Sequence, residues 1–369
     1  MVSFQPSEDQ QLILDTVAAF AREQIRPRAH DADEAGAVPS DIAQQGWELG
    51  LVQSAIPEAF GGAGDTRSVV TGALIAEELA WGDLSMALHL LAPRLVLYPV
   101  LEMGTPEQQE RVLKPYAAAQ FRAGSAAVME PRWDFDLAVL TATARRDNGA
   151  YVIDGAKCYV PLGDDAEHLL VYARTEARDG YESVSAFLVE KGTAGVTIAE
   201  REKNMGLKAL ATHEISFENC RVPTANRLGG DAGCDFAKLM NYSRVGLAAM
   251  AVGVARAAFE YARDYAKERK AFGVAIGQKQ AIAFMLAEMA LEIDATRLLT
   301  WEAAWKLDRG EEATREAYLA KNYAANMVLK VTDNAVQILG GHGYIREHPV
   351  EMWLRNGRGF ATFEGLVMI

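Results

Sequence analysis

The hydrophobic period of this chain changes twice along its 369 residues, and that change limits what it can fold into. Before about residue 121 apolar residues recur at helical spacing, as at Ile13, Val17 and Phe20. Near residue 122 the pattern becomes short β-branched runs. "TATARRDNGAYVIDGAKCYV" sets Asp147-Asn148-Gly149 and Asp154-Gly155 between such runs, and these pairs are strong hairpin signals. "HLLVYART", "VSAFLVE" and "HEISFENCRV" continue as strands. From about residue 233 the helical period returns and stays. The pattern predicts an α+β chain with an N-terminal α-helical domain (1–121), a middle β domain (122–228) and a C-terminal helical bundle (229–369).

Local signals sharpen the outline. Ser7-Glu8-Asp9-Gln10 fits a capping box, and Pro27 should stop or kink the helix that follows. Residues 68–92 read as one apolar helix, and "GTPEQQERVLKPY" opens another with Thr105 as cap and Pro106 in its first turn. In the last third, Ile282, Leu286, Met289 and Ile293 form one stripe. Leu319 and Tyr323 start another, on a helix that Gly340-Gly341 should end.

Composition excludes several classes. A formal charge of −13 with no Lys/Arg-rich block argues against a nucleic-acid binder. Cys158, Cys220 and Cys234 are isolated, which points to a reducing compartment without disulfides or a zinc site. The start "MVSFQPSEDQQ" lacks the form of a signal peptide, and no eighteen-residue apolar run predicts a membrane span. The expectation is a cytoplasmic protein.

Few segments carry chemistry by themselves. "FGGAGD" reads as a loop, without the strand and helix of a dinucleotide turn. The glycines of "LGGHGY" either end a helix or let backbone N–H groups approach a phosphate. His342 and His348 are too few for a metal site, and no GxSxG elbow is present. Glu364 stands out in "FATFEGLVMI", one carboxylate among Phe363, Leu366, Val367, Met368 and Ile369. Apolar surroundings make a carboxylate a better proton acceptor. A salt bridge to Arg355 or Arg358, or a frayed end, explains the residue equally well.

Taken in order, "AREQIRPRA", "WELGL", "IPEAFGGAG", "EELAWG", "MEP", "YVIDGAKCYV", "MGLKA", "FENCRVP", "ERKAFG", "QKQAIAFMLAEMA", "AVQILGGHGY" and "FEG" closely resemble the acyl-CoA dehydrogenase family, most visibly its medium-chain branch. The resemblance spans nearly the whole chain. It implies a middle β-barrel-like domain, a C-terminal four-helix bundle and a homotetramer with FAD at a subunit interface. It implies α,β-dehydrogenation of an acyl-CoA thioester to the trans-2-enoyl-CoA, with Glu364 as the α-proton base and flavin N5 as hydride acceptor. Electrons would pass to an electron-transfer flavoprotein. By the same resemblance Val128, Met129, Tyr159, Val160 and Pro161 line the flavin. Arg269, Phe272 and Gln280 reach the FAD of a neighbouring subunit, and Gln337, Gly340 and Gly341 contact its pyrophosphate and adenosine. Phe135, Asn241 and Arg244 fall on the substrate side. Ser243 stands where other members carry their base, which leaves Glu364 for that role.

The chain departs from the family at four places. "MEPRWDFD" puts Met129 and Phe135 where a threonine and a serine are usual. Pro161 replaces a threonine that offers its hydroxyl to flavin N5, and Leu366 replaces another polar contact. The family's further C-terminal helix is not in the sequence. These changes keep open a weakly catalytic or non-catalytic subunit of a hetero-oligomer, an FAD-free scaffold, and a carrier-protein thioester as substrate.

Overall fold

A computed structural model describes residues 5–369. Its first third is helical: α1 (Glu8–Phe20), α2 (Ala29–Ala35), α3 (Ser40–Glu48), α4 (Val69–Gly82), α5 (Leu84–Leu91), α6 (Arg94–Met103) and α7 (Pro106–Tyr116). Capping boxes close the starts of α1 and α7, through Ser7 with Gln10 and Thr105 with Gln108. Pro27 kinks rather than stops its helix. The chain widens into a π turn at Ala21–Ile25 and tightens into a 3-10 turn at Arg26–Arg28 before α2. Proline gives no N–H, and its ring crowds the carbonyl one turn back.

The single helix expected over 68–92 is two. Asp83 breaks it with extended backbone and caps α5, accepting from the Met86 N–H at 2.8 Å. Burial pushes the Asp83 carboxyl up to about 6, against the pull of that N–H.

Seven strands follow: β1 (Gly124–Ala127), β2 (Thr143–Asp147), β3 (Ala150–Pro161), β4 (His168–Arg174), β5 (Val184–Glu190), β6 (Val196–Arg201) and β7 (Thr212–Pro223). They make one sheet ordered β1-β4-β2-β3-β7-β6, with β5 paired to β4. Asn148-Gly149 is the expected hairpin turn, joining Asp147 to its partner Ala150. Asp154-Gly155 is not a turn. It lies inside β3, where the register against β7 shifts, and forms a bulge.

At the mouth of the sheet a buried pair fixes the loop after β1. Lys157 Nζ lies 3.1 Å from Glu130 Oε1 and donates to the Val128 carbonyl at 2.9 Å. Glu130 also accepts from the Thr141 N–H and hydroxyl and from the Ala142 N–H. Burial opposes the Glu130 charge, but Lys157 and these donors outweigh it and hold the carboxyl below the usual carboxylate range.

The last third holds α8 (Phe236–Glu268), a hairpin of β8 (Lys270–Ala271) and β9 (Val274–Ala275), α9 (Gln280–Asp308), α10 (Thr314–Leu339), α11 (Gly341–Tyr344) and α12 (Val350–Arg358). Helix α8 packs against α4, α9 and α10. Met289 and Ile293 of the expected α9 stripe are buried, and Ile282 and Leu286 pack beside them. The α10 stripe was placed on the wrong side. Leu319 and Tyr323 are 42% and 40% exposed, while Ala317, Ala320, Ala324, Met327, Val328 and Val331 are buried. Small side chains let α10 approach α8 closely, and apolar period alone does not choose between two apolar faces. Gly340 caps the end of α10, as expected.

The stretch Leu84–Met103 and helix α8 are long and apolar enough to cross a membrane, and both lie mostly buried inside the fold. Asp33 of α2 ties the three parts together. Its buried carboxylate takes Arg355 at 2.9 Å, Arg346 at 2.6 Å and Lys208 at 3.5 Å.

Glu130→Gln should remove the counter-charge of Lys157, whose ammonium burial already pulls down to about 8, a loss of up to about 3–5 kcal/mol at pH 7. Because the folded carboxyl is depressed, its contribution is present above the unfolded value and is lost as pH falls through the folded one. Denaturant unfolding of parent and variant at neutral and acidic pH should therefore give a gap that narrows in acid.

Candidate active site

After α12 the chain turns at Gly359–Ala361 and runs buried from Phe363 to Ile369, with only the Glu364 side chain partly open. Ile369 lies against Gly72 of α4, and Val367 against Gly246 of α8, where a Cβ would come within 2.8 Å of Val367 Cγ1. Gly365 has φ 69°, and a Cβ there would lie 2.5 Å from Val128 Cγ2. The segment is thereby pressed against the end of β1.

Glu364 faces a cavity of about 650 Å³ between the sheet and the helical bundle. The cavity wall has Met129–Trp133, Phe135 and Tyr159 on the sheet side, and Arg244, Tyr318 and Lys321 on the bundle side. The apolar surround expected from "FATFEGLVMI" covers the backbone only. The carboxylate itself meets two buried cations, Lys321 Nζ at 2.9 Å from Oε1 and Arg244 Nε at 3.7 Å from Oε2. Their side chains are 9% and 5% exposed, and that of Glu364 is 16% exposed. The Arg355 salt bridge envisaged for Glu364 does not form, since Arg355 pairs with Asp33 and Glu351. Arg244 is held by the Tyr181 hydroxyl at 2.8 Å and lies 5.5 Å from the Tyr318 ring centre.

Of the residues expected at a flavin, Val128 is buried, and Met129 and Tyr159 line the cavity. The Cys158 N–H binds the Met129 carbonyl at 2.9 Å, and the Tyr159 N–H binds Glu202 Oε1 at 3.2 Å. Val160 and Pro161 are buried in the β3–β7 ladder opposite His213 and Thr212. Phe135 and Arg244 line the cavity. Asn241 is buried one turn before Arg244, with its amide donating to the Thr314 hydroxyl at 2.9 Å.

Arg269, Phe272, Gln280, Gln337, Gly340 and Gly341 stand apart from this cavity, all exposed, with Phe272 at 95%. His342 and His348 stack at 5.2 Å, and their Nδ1 atoms meet the hydroxyls of Tyr265 and Tyr261 at 2.8 and 2.7 Å. Among the described residues, no group of three or more His, Cys, Asp or Glu side chains is set to hold a metal.

Lys321, Tyr181, Tyr318 and Trp133 escaped the sequence reading. For Lys321 a signal existed. It sits four residues after Ala317 and three before Ala324, on the buried stripe of α10, where a lysine needs a partner. Tyr181 lies in a turn before β5, and Trp133 is 98% exposed, so neither has periodicity to mark it.

Comparison with known proteins agrees with this architecture. The acyl-CoA dehydrogenase N-terminal, middle and C-terminal domain models match residues 7–120, 125–220 and 234–366. A cyclohex-1-ene-1-carbonyl-CoA dehydrogenase of Geobacter metallireducens is 38% identical over 97% of this chain and 95% of its own. The structure of butyryl-CoA dehydrogenase from Megasphaera elsdenii superposes with a TM-score of 0.89 at 31% identity, covering 98% and 96% of the two chains. An FAD complex of PigA superposes with a TM-score of 0.90 at 26% identity, covering 98% and 95%. The chain belongs to the acyl-CoA dehydrogenase family. It is an oxidoreductase of acyl-CoA thioesters.

Gly365→Ala should strain the turn beside Glu364 and push on Val128. A loss of about 1–3 kcal/mol is expected in unfolding curves, as for other residues forced into sparsely populated backbone regions.

Proposed function

We propose that this protein catalyses FAD-dependent α,β-dehydrogenation of an acyl-CoA thioester, with Glu364 as the base. The observation that carries this reading is a mostly buried carboxylate, paired with two buried cations, at the wall of a cavity shared by the sheet and the bundle. Glu364 takes the α-proton on a carboxylate oxygen as the α C–H bond breaks. The electron pair left at the α-carbon enters the new carbon–carbon double bond as the β-hydrogen leaves with its own pair. FAD, when bound, supplies the acceptor for that hydride. Arg244 and Lys321 place positive charge beside the reacting carboxylate.

The residues present fit a flavin at the sheet side of the cavity. Glu202 Oε2 is a buried atom on a cavity-lining residue of the β domain that lacks a hydrogen-bond partner within the chain. Met129 and Tyr159 would border the ring system. Arg269, Phe272, Gln280, Gln337, Gly340 and Gly341 lie outside the cavity and exposed, which suits cofactor contacts made across to a second copy. Arginine is apt for pyrophosphate because its planar fork gives paired, charged hydrogen bonds.

A homo-oligomer, dimer or tetramer, follows from the same reading. Phe284, Leu291, Leu298 and Trp305 recur every seven residues along α9 and are 47–70% exposed, an apolar line suited to another helix. An electron-transfer flavoprotein is the proposed acceptor, and the cytoplasm the proposed site, given unpaired Cys158, Cys220 and Cys234.

Anaerobic titration of the purified protein with a panel of acyl-CoA thioesters tests the reading. The flavin absorbance of the parent should bleach with at least one thioester. Glu364→Gln should keep the flavin and lose at least about a hundredfold in its reduction rate, the usual scale of general-base catalysis. Undiminished reduction would remove Glu364 from the role. Arg269→Ala should lower FAD occupancy by spectral titration, and full retention would count against a pyrophosphate contact there.

A further inference from the structure

We infer that Lys321 is the positioning residue for Glu364: its ammonium anchors one carboxylate oxygen and fixes the group at the cavity wall. This rests on the proposed role of Glu364 as base and adds a residue to that site. The argument is geometric. Lys321 comes from the buried stripe of α10, flanked by Ala317, Ala320 and Ala324, where a lysine otherwise costs stability. Its side chain is 9% exposed, and its Nζ reaches Glu364 Oε1 at 2.9 Å. The opposite oxygen, Oε2, has no hydrogen-bond partner. One oxygen is thus tied by a hydrogen bond while the other meets only the Arg244 guanidinium at 3.7 Å, which fixes the carboxylate plane and leaves one oxygen free of hydrogen bonds to receive a proton.

Arg244 does not share this task equally. Its Nε is 3.7 Å from Oε2, and its guanidinium donates to the Tyr181 hydroxyl. Besides Lys321 and Arg244, the ionisable groups on this cavity include Tyr318 of α10, Tyr181 before β5, and Arg132, Asp136, Glu202 and Glu214 from the β domain. They are common to parent and variants, so a change on substituting Lys321 reports on Lys321.

A nearby cation favours the charged form of a carboxylate, and its loss moves ionisation to higher pH. Lys321→Met keeps length and packing and removes the charge, whereas Lys321→Arg keeps the charge. The first measurement is a ¹³C-NMR titration of glutamate-labelled protein, with the Glu364 resonance assigned by its absence in Glu364→Gln. In Lys321→Met this resonance should titrate at higher pH than in the parent. Lys321→Arg should stay close to the parent. The second measurement is the pH profile of flavin reduction by acyl-CoA in the FAD-loaded protein, whose acid limb should move in the same direction. Equal Glu364 titrations in parent and Lys321→Met would overturn the inference. If no acyl-CoA reduces the parent flavin, the proposed function fails, while the NMR titration still decides the role of Lys321.

Discussion

Helix α8 is buried without interruption from Leu239 to Ala255, and the site depends on that enclosure. No face of that stretch meets water, so each side has to be covered by another element. Helix α4 comes from the N-terminal domain, α9 and α10 from the bundle, and the terminal segment closes against Gly246. Arg244 lies on this same stretch. A guanidinium placed there cannot be solvated by bulk water and must find partners in the protein, here the Tyr181 hydroxyl and the Glu364 carboxylate. The packing requirement of one helix therefore sets the electrostatics of the cavity.

Those electrostatics also set the surroundings of Glu364. An acid in an apolar stretch suggests a carboxylate whose charge is penalised. In the folded chain the apolar neighbours of Glu364 turn into the core, and its own side chain turns toward Lys321 and Arg244. A carboxylate between two buried cations is held in a fixed place. On the other wall, Glu130 and Lys157 form a second buried pair that fixes the loop from Val128 onward. The cavity is thus bounded by two ion pairs, each anchored in a different domain.

Much of the fold was legible because it is written in local period and capping. The box at Ser7, the cap at Thr105, the turn at Asn148-Gly149 and the end of α10 at Gly340 depend on neighbours within a few residues. Two departures share one cause. Asp154-Gly155 bulges because of its partner strand, and α10 turns its alanines inward because α8 is there. Both depend on a partner distant in sequence. Asp83 is different, a local cap to the Met86 N–H that sits inside an otherwise continuous apolar run.

The amino-acid order by itself determined the helix–sheet–helix division, the family and a singular carboxylate at Glu364, since period, turn chemistry and ordered motifs are properties of the chain read in one direction. Only the tertiary structure decided what that carboxylate touches. Lys321 lies 43 residues before it and Arg244 lies 120 before it. Neither distance has a local signature, because charges pair through space when helices pack, and packing is settled by burial of all three domains at once. The exposure of Arg269, Phe272 and Gln337 away from the cavity was equally beyond the sequence, as it follows from where α8 and α10 end against the rest of the fold.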